Sequence, residues 1–482
     1  MALILVVFLP LFAALLCWVP PFRKAAWLIS VVCLFLDLIL AVIVAAGVIS
    51  HSRVIGIPGW IEADGLSALM LVLVAFVCAI AALFAGDYMR HGKGQSHRTW
   101  WFYCASDLFA FALVGTPAMT DPNLVWVGVE LITLFAILLV AFESTGSALE
   151  AAWKYSMLTM LGAPISLLGF LVLFWAYRGT GTQAPETWLT LSAQAGSMSP
   201  ALLRLSFLLV FVGFGAKVGL APMHTWLPDA HSQAPSPACA VLSGVKTTVP
   251  LYAILRLLSI LLVSPTARMG RWMIVVGIVS VAIAAFLLLQ VREYKRMFAY
   301  STVEHMGIIL AAAGMATQAS DFGAVSQMLN HSITKSLCFY VAGTVLLTLE
   351  TREIKSVRGL LRVSPFVGST LLLCALAIAG APPFPIFLSE YSILSAGLRG
   401  GHSVAVAFLA ALIVLAFVGI MLQVNRMTFG RPDQLLQHAA PVPTTCRWGV
   451  IGAALPVVLF GVYIPGPVHA LLELAAKQLG GH

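Results

Sequence analysis

Long runs of uncharged apolar residues dominate this sequence. Residues 66–84 and 277–289 contain no charged side chain, and similar runs recur along the chain. Only 10% of the 482 residues are charged and 60% are hydrophobic, whereas soluble domains carry about 25% charged residues. Many of these runs are long enough to cross a bilayer as a helix. The sequence therefore predicts an all-α, polytopic membrane protein.

We expect about fourteen transmembrane helices. No basic residue precedes the first of them, so we interpret it as a retained span and not as a signal peptide. The longest connection, residues 178–200, is rich in Gly, Thr and Ser and is expected to lie on the outer surface. The approximate limits of the spans are 2–19, 26–50, 65–86, 100–118, 123–142, 153–177, 202–231, 237–263, 272–291, 299–316, 322–349, 366–398, 403–425 and 448–475.

Basic residues gather in every second loop between these spans. Because cytoplasmic loops carry an excess of Lys and Arg, fourteen spans would place both termini outside the cytoplasm of a bacterial plasma membrane. The net charge of +8 is then explained by topology and not by nucleic acid. The loop residues concerned are Arg23, Lys24, Arg90, Lys93, Arg98, Arg292, Lys295, Arg296, Arg352, Lys355, Arg358, Arg362, Arg426 and Arg431.

The eight cysteines are scattered along the chain and form no C-x-x-C pair. Zinc and iron–sulfur sites usually show such paired spacings. We therefore expect the cysteines to be small core residues, and we expect no metal and no cofactor to be bound by this chain.

Two of the predicted spans are interrupted by Gly and Pro. The first is GAKVGLAPMHTWLPDAH at 215–231, and the second is LAIAGAPPFPIFLSEYSIL at 376–394. Unwound backbone at membrane depth persists only where protein or water covers it, and matching interruptions in two halves point to an inverted repeat with its site at the breaks. The expected units are 1–99 (helices 1–3), 100–263 (repeat 1, helices 4–8), 264–425 (repeat 2, helices 9–13) and 426–482 (helix 14).

Few ionisable residues lie inside the spans, and each costs about 3 kcal/mol at the bilayer centre. Burial disfavours the charged form of a lysine and a neighbouring carboxylate favours it, so a row of such groups can pass a proton sideways. The alternatives are a packing role for each carboxylate and snorkelling for a lysine near a helix end. The candidates in chain order are Glu130, Lys217, Lys246, His331 with Lys335 four residues later, and Glu390.

Five further polar residues are candidates for an auxiliary role. Lys154 has Glu150 four residues before it, so the two could also form a simple surface pair. The others could line a water path or satisfy unwound backbone near the first break, or relay protons at a helix start. These auxiliary candidates are Lys154, His224, Asp229, His231 and His305.

Several stretches resemble the antiporter-like membrane subunits of complex I and its relatives. They are DGLS at 64–67, FGAKVGLAPMHTWLPDAHSQAPSPACAVLSGVKT at 214–247, KRMFAYSTVEHMGI at 295–308, MLNHSITKSLCFYVAG at 328–343 and PPFPIFLSE at 382–390, together with the helix around Glu130. The resemblance is strongest to component F of hydrogenase-4 and extends to the M and N subunits of NADH-quinone oxidoreductase. Glu304 stands where the ordinary complex I subunit usually has serine.

This resemblance implies fourteen helices and two inverted five-helix repeats. It implies that Glu130 and Lys217 form a coupling pair, that Lys246 is a central relay, that His331 and Lys335 lead onward, and that Glu390 is the terminal residue. Some relatives have lysine at the position of Glu390, which leaves the route of the proton at that end open.

The function expected from these features is that of a proton-translocating subunit of a respiratory complex linked to a [NiFe]-hydrogenase. The partners would be other membrane subunits, lipid, and peripheral redox subunits that hold the iron–sulfur, [NiFe] or flavin groups. Three alternatives remain open: a subunit of a multisubunit sodium/proton antiporter, a subunit of NADH-quinone oxidoreductase itself, and a scaffold in which the buried charges form static pairs.

Overall fold

The computed structural model describes residues 1–91, 99–264, 269–431 and 440–480. Most of these residues lie in helices, which confirms the all-α prediction. Lys93 and Arg98, two of the loop residues used to predict topology, lie outside the described residues.

Twenty α-helices follow one another in the described residues. Short 3₁₀ turns at Pro20–Ala25, Ala195–Ser197 and Ile354–Ser356 and a π-turn at Leu242–Lys246 connect some of them. The α-helices are α1 (Ala2–Trp18), α2 (Ala26–His51), α3 (Gly65–His91), α4 (Thr99–Ala118), α5 (Pro122–Val140), α6 (Gly146–Arg178), α7 (Trp188–Gln194), α8 (Pro200–Val218), α9 (Trp226–Gln233), α10 (Ser236–Val241), α11 (Thr248–Val263), α12 (Gly270–Gln290), α13 (Tyr294–Gly314), α14 (Gln318–Leu349), α15 (Leu360–Val363), α16 (Pro365–Ile378), α17 (Pro385–Arg399), α18 (Ser403–Thr428), α19 (Thr444–Val462) and α20 (Gly466–Leu479).

Ten helical segments of the described chain are long and apolar enough to cross a membrane. They are α2 with the turn before it, α3, α5, α6, α8, α10 with the π-turn and α11, α12, α14, α18 and α19. The protein is therefore a multi-pass membrane protein.

The helices divide into an interior group and a peripheral group. The apolar segments of α3, α11 and α14 are buried on almost every side, whereas α18 and α19 leave most of their surface uncovered. Helix α13 also lies in the interior, and its buried residues include Lys295, Glu304 and His305. Because protein and not lipid surrounds these side chains, an interior helix can carry polar groups that a lipid-facing helix cannot.

The structure corrects the limits of the last predicted span. Residues 448–475 were expected to form one helix, but α19 ends at Val462 and α20 begins at Gly466. The intervening turn contains Pro465, whose fixed φ and missing N–H end the preceding hydrogen-bond pattern. Helix α20 packs instead against α3 and α14.

A short antiparallel hairpin was not anticipated from the sequence. Strand β1 (Val54–Ile57) pairs with β2 (Ile61–Ala63) between α2 and α3. Arg53 forms an ion pair with Glu62 beside it. Strands this short carry too little alternation to be recognised inside a largely apolar sequence.

Candidate functional site

The first break separates α8 from α9, and its unwound backbone is well satisfied. Helix α8 ends at Val218, and Gly219 adopts a φ of 85°, a left-handed conformation that glycine reaches without steric cost. The N–H of Ala221 donates to Ser280 Oγ at 3.0 Å, and the indole N–H of Trp226 donates to the Ala216 carbonyl at 2.8 Å. Protein groups therefore replace the helical partners lost at the break.

Lys217 occupies the last turn of α8 and is completely buried. Its ammonium lies 3.0 Å from Glu130 Oε2 and donates to Thr133 Oγ1 at 2.9 Å, and both partners lie on α5. The sequence predicted both charges, and the structure brings them together as an ion pair. Lys217 does not snorkel to the membrane surface, because its side chain has no solvent-accessible area.

Lys246 lies on the π-turn that joins α10 to α11, and it is also fully buried. Its ammonium donates to the Lys217 carbonyl at 2.9 Å. It also lies 3.9 Å from the ring centroid of Trp226 and 4.7 Å from that of Tyr155. A carbonyl oxygen and two aromatic faces stabilise this cation, whereas a carboxylate stabilises Lys217.

A pair of hydroxyl groups connects this first cluster to the helices that follow. Ser243, three residues before Lys246, lies 2.6 Å from Thr302 on α13, Oγ to Oγ1. The neighbouring Ser301 accepts a hydrogen bond from Lys335 on α14, whose ammonium also donates to the Phe298 carbonyl at 2.7 Å. The hydroxyl pair therefore joins the π-turn that carries Lys246 to α13, the helix that also holds both hydrogen-bond partners of Lys335.

His305 and His331 are the next buried residues among the candidates for proton transfer. The rings of His305 and His331 lie 5.4 Å apart, centroid to centroid. His305 Nδ1 accepts from the Gln327 amide at 2.9 Å and its Nε2 donates to the Ile378 carbonyl at 3.1 Å, which defines its tautomer. Neither ring nitrogen of His331 has a hydrogen-bond partner among the described residues.

Glu390 lies in the second turn of α17, just after the second break, which separates α16 from α17. Gly380 has a φ of 75°, and its Cα faces the Glu390 carboxylate. The carboxylate oxygen Oε1 lies 3.9 Å from His305 Nδ1. Glu390 is buried, so the predicted terminal residue lies beside a predicted auxiliary histidine at the second break.

The remaining auxiliary candidates lie at the edge of the row. Lys154 pairs with Glu150 at 2.7 Å, as its spacing suggested, and also approaches Asp229 at 3.3 Å, nitrogen to oxygen. Asp229 pairs with Arg296 at 2.7 Å. The structure therefore places Lys154 and Asp229 in one ion-pair network beside α9.

His231 and His224 flank this network. His231 is buried, its Nδ1 lies 2.7 Å from the Leu227 carbonyl, and its ring faces Phe339. His224 lies in the first break, and its Nδ1 has no partner among the described residues.

Sequence reasoning missed several polar members of this site. Ser243, Thr302 and Gln327 are uncharged, and in a membrane span such residues give no signal that separates a relay from ordinary packing. Glu304 was noticed beside His305 but not selected, although it is buried and its Oε2 lacks a described partner.

Two acidic residues outside the row were also missed. Asp37 on α2 and Asp107 on α4 are fully buried, and Asp107 Oδ2 accepts from Ser30 Oγ at 2.6 Å. The rule that selected Glu130, an acid flanked by apolar residues, would have found both.

Comparison with known proteins identifies the family of the chain. Residues 120–416 match the family described as "NADH:quinone oxidoreductase/Mrp antiporter, TM". The chain belongs to this family. Residues 56–97 also match the N-terminal region of chain 5 of NADH-ubiquinone oxidoreductase, complex I.

Two proteins similar to this chain are hydrogenase components. The hydrogenase-4 component F homolog of Methylacidiphilum infernorum is 33% identical over 411 residues, which cover 83% of this chain and 85% of that protein. Hydrogenase-4 component B of Escherichia coli is 30% identical over 373 residues, which cover 74% of this chain. The chain spans only 54% of the length of component B.

Chains in two solved complexes share the fold. A chain of the membrane-bound sulfane sulfur reductase, an archaeal respiratory membrane complex, superposes with a TM-score of 0.88 at 24% identity and covers 98% of this chain and 97% of its own length. A chain of the Mrp complex from Dietzia sp. superposes with a TM-score of 0.86 at 18% identity, with 99% and 97% coverage. The fold of this chain is therefore shared with chains of both complexes.

Proposed function

We propose that this chain is a proton-translocating membrane subunit of a complex I-like respiratory complex linked to a [NiFe]-hydrogenase. The observation that carries the proposal is the ion pair between Lys217 and Glu130, which lies at a helix break and contacts Lys246 through the Lys217 carbonyl. The hydrogenase linkage is supported by the similarity to hydrogenase-4 component F.

The proposed proton pathway follows the row of buried groups. Glu130, Lys217, Lys246, Lys335 with His331, and Glu390 are its titratable members. The hydroxyl pair of Ser243 and Thr302 bridges the two halves. Lys154, His224, Asp229 and His231 lie beside the first break, where protons could enter, and His305 lies next to Glu390 at the other end.

Electrostatics couples neighbouring members of the row. Two unit charges about 4 Å apart attract by roughly 4 kcal/mol at an effective dielectric constant near 20. Separating Glu130 from Lys217 therefore changes the stability of the charge on Lys217, and a charge change on Lys217 acts on Lys246. A conformational change at one end of the row can in this way drive proton release at the other.

We also propose fourteen membrane spans in two inverted repeats, 100–263 and 264–425, after the three helices of 1–99 and before the last span of 426–482. Adding α1, α4, α13 and the broken pair α16–α17 to the ten apolar segments brings the number of spans to fourteen. Gly219 and Gly380, both with positive φ, support a correspondence between the two broken helices. With basic loops inside, both termini would lie outside the cytoplasm of the plasma membrane.

Electron transfer would take place in partner subunits. We propose that peripheral subunits hold the iron–sulfur, [NiFe] or flavin groups and that further membrane subunits and lipid surround this chain. Within the described residues, no three His, Cys, Asp or Glu side chains converge as a metal site would require.

The proposal is tested with the intact complex, purified through a tag on this chain and reconstituted into liposomes. Lys217→Ala and Glu130→Gln are expected to abolish proton translocation while electron transfer continues. Glu473→Gln, which changes an exposed acid on α20, is the matched control and should translocate normally. Unchanged translocation in both site variants would instead favour a scaffold with static ion pairs.

The second candidate function is that of a subunit of a sodium/proton antiporter. The family description and the structural match to the Mrp complex favour this function. The same row of buried residues would then move protons in exchange for sodium ions. Purification of the tagged chain with membrane subunits only, together with sodium-driven proton movement in liposomes, would establish this function. Purification with hydrogenase-like redox subunits would establish the first.

A further inference from the structure

A strongly basic recess lies at one end of helices α12 and α18. It has a volume of about 440 Å³, and no acidic side chain lines it among the described residues. Four cations line it, and they come from three different connections: α12 to α13, α14 to α15, and the end of α18. These cations are Arg292, Lys355, Arg358 and Arg426, which we call the basic recess.

Hydrogen bonds between the three connections hold the basic recess in shape. The two β-bridge residues Glu293 and Glu353 pair the first connection with the second. Further bonds run from the Ile354 N–H to the Arg292 carbonyl at 2.9 Å, from the Gln423 amide to the Leu289 carbonyl at 3.4 Å, and from the Gly359 N–H to the Phe429 carbonyl at 3.3 Å. The four cations therefore line a cavity whose walls are joined to one another by hydrogen bonds.

The cations of the basic recess have no counter-charges among the described residues. None of the four forms an ion pair with a described carboxylate, and the described hydrogen-bond partner of the Arg426 side chain is the Gln423 side chain, at 3.4 Å. Like charges held together are unfavourable unless an anion binds between them. Arginine presents a planar set of donors that matches the oxygens of a phosphate group.

An apolar strip leads from the basic recess along the outside of α12 and α18. Val279 and Phe286 on α12 and Val418 and Leu422 on α18 are 41–58% exposed. Leu422 lies one turn before Arg426, so the apolar strip meets the recess directly. In a membrane-spanning chain such side chains face acyl chains.

We propose that the basic recess binds the phosphate headgroup of an anionic phospholipid, whose acyl chains lie along the apolar strip. Basic pockets between transmembrane helices on the cytoplasmic side are suited to such headgroups. The strip distinguishes a lipid from free phosphate, because only a lipid uses both surfaces. The bound phosphate joins the α12–α13 connection to the connection after α14 and to the end of α18.

The test measures lipid retention by the full-length chain within its purified complex. The complex is delipidated, exposed to phosphatidylglycerol or to phosphatidylcholine, and examined by native mass spectrometry. The double variant Arg358→Gln/Arg426→Gln is expected to bind phosphatidylglycerol about 25-fold more weakly, since each basic residue contributes about fivefold. Phosphatidylcholine binding should not change.

The matched control is Arg204→Gln/Arg271→Gln, which removes two exposed charges at the starts of α8 and α12. This control and the conservative variant Arg358→Lys/Arg426→Lys should retain phosphatidylglycerol, and equal thermal unfolding midpoints show that all variants are folded. Equal retention by the Gln variant overturns the proposal. Displacement of phosphatidylglycerol by inorganic phosphate at equal concentration also overturns the proposal. Loss of a protein subunit from the Gln variant without loss of lipid overturns it as well.

Discussion

Lys246 differs from the other lysines of the row in the groups that surround it. Its ammonium contacts the Lys217 carbonyl and the faces of Trp226 and Tyr155, and no described carboxylate is paired with it. It can gain or lose charge without breaking an ion pair, whereas a change of charge on Lys217 alters its pair with Glu130. This difference suits Lys246 to the transfer step between two clusters.

Lys246→Met is expected to stop proton translocation while the complex still assembles. Methionine keeps the length of the side chain and packs well against aromatic rings, but it carries no proton. Because a positioned acid or base contributes about 10²-fold or more to proton transfer, we expect a loss of that order in the rate measured in liposomes. Lys295→Met is the control, since Lys295 is also buried and also donates to a carbonyl, that of Ala234, outside the row. Equal losses in both variants would contradict the assignment.

Thr302→Val tests the uncharged bridge between the two halves of the row. Valine has nearly the shape of threonine, but it cannot bond to Ser243. We expect translocation to fall several-fold, while the free energy of unfolding changes by only about 1 kcal/mol. Thr348→Val removes a hydroxyl that bonds only within its own helix, and it should leave translocation normal. Normal translocation by Thr302→Val would show that water or another group replaces the bridge.

The broken helices show how single elements are adapted to the site. Helix α8 ends one residue after Lys217, and Trp226, the first residue of α9, donates its indole N–H back to the Ala216 carbonyl in α8. The same tryptophan ring lies against the Lys246 ammonium. The break is therefore part of the environment of both lysines and not merely an interruption.

Gly219→Ala is expected to disturb this element in two ways. A left-handed φ costs an alanine about 1–2 kcal/mol, and the new Cβ would overlap the Leu227 side chain. Gly181→Ala is the control, because its φ of 79° is similar but no atom lies within 4 Å of an added Cβ. Both variants should lower the thermal unfolding midpoint, and only Gly219→Ala should also lower proton translocation. An equal effect on translocation would show that the break has no special role.

The limits of a helix were predicted well where the helix is apolar along most of its length, because it contacts lipid or other apolar helices. The predicted limits of α2, α3 and α12 agree with the structure within a few residues at most ends. The π-turn at Leu242–Lys246 was not predictable, because a single extra residue in a helix leaves no trace in the hydrophobic pattern. Lys246 is nevertheless the last residue of this π-turn.

At the scale of the molecule, helix α20 packs against the start of α3, more than 400 residues away in the sequence. The N–H of Leu66, in the first turn of α3, donates to Gln478 Oε1 on α20 at 2.8 Å. Asp64 Oδ1 accepts from the N–H of Ser67 at 3.0 Å. Because the first N–H groups of a helix have no partner within it, α20 completes the cap of an interior helix.

Gln478→Leu is expected to destabilise the whole chain and not only its C-terminal helix. It leaves the buried Leu66 N–H without an acceptor, which costs about 1–2 kcal/mol. Gln478→Glu retains the acceptor oxygens and should recover most of the loss. The measurement is the thermal unfolding midpoint of the purified complex, and equal midpoints for the Leu and Glu variants would contradict the capping role.

The sequence by itself determined the membrane class of the protein, most helix positions, both broken helices and the charged members of the row. These features could be predicted because the bilayer acts as a uniform solvent, so each apolar run and each buried charge has a cost that depends only on local sequence. Only the tertiary structure decided which groups meet. Lys217 finds Glu130 87 residues away, Ser243 finds Thr302, and four cations from three connections line one recess. The distances between such groups depend on how the helices pack. An interior helix such as α13 is surrounded by protein, and a hydropathy pattern gives no information about the polar groups of its neighbours.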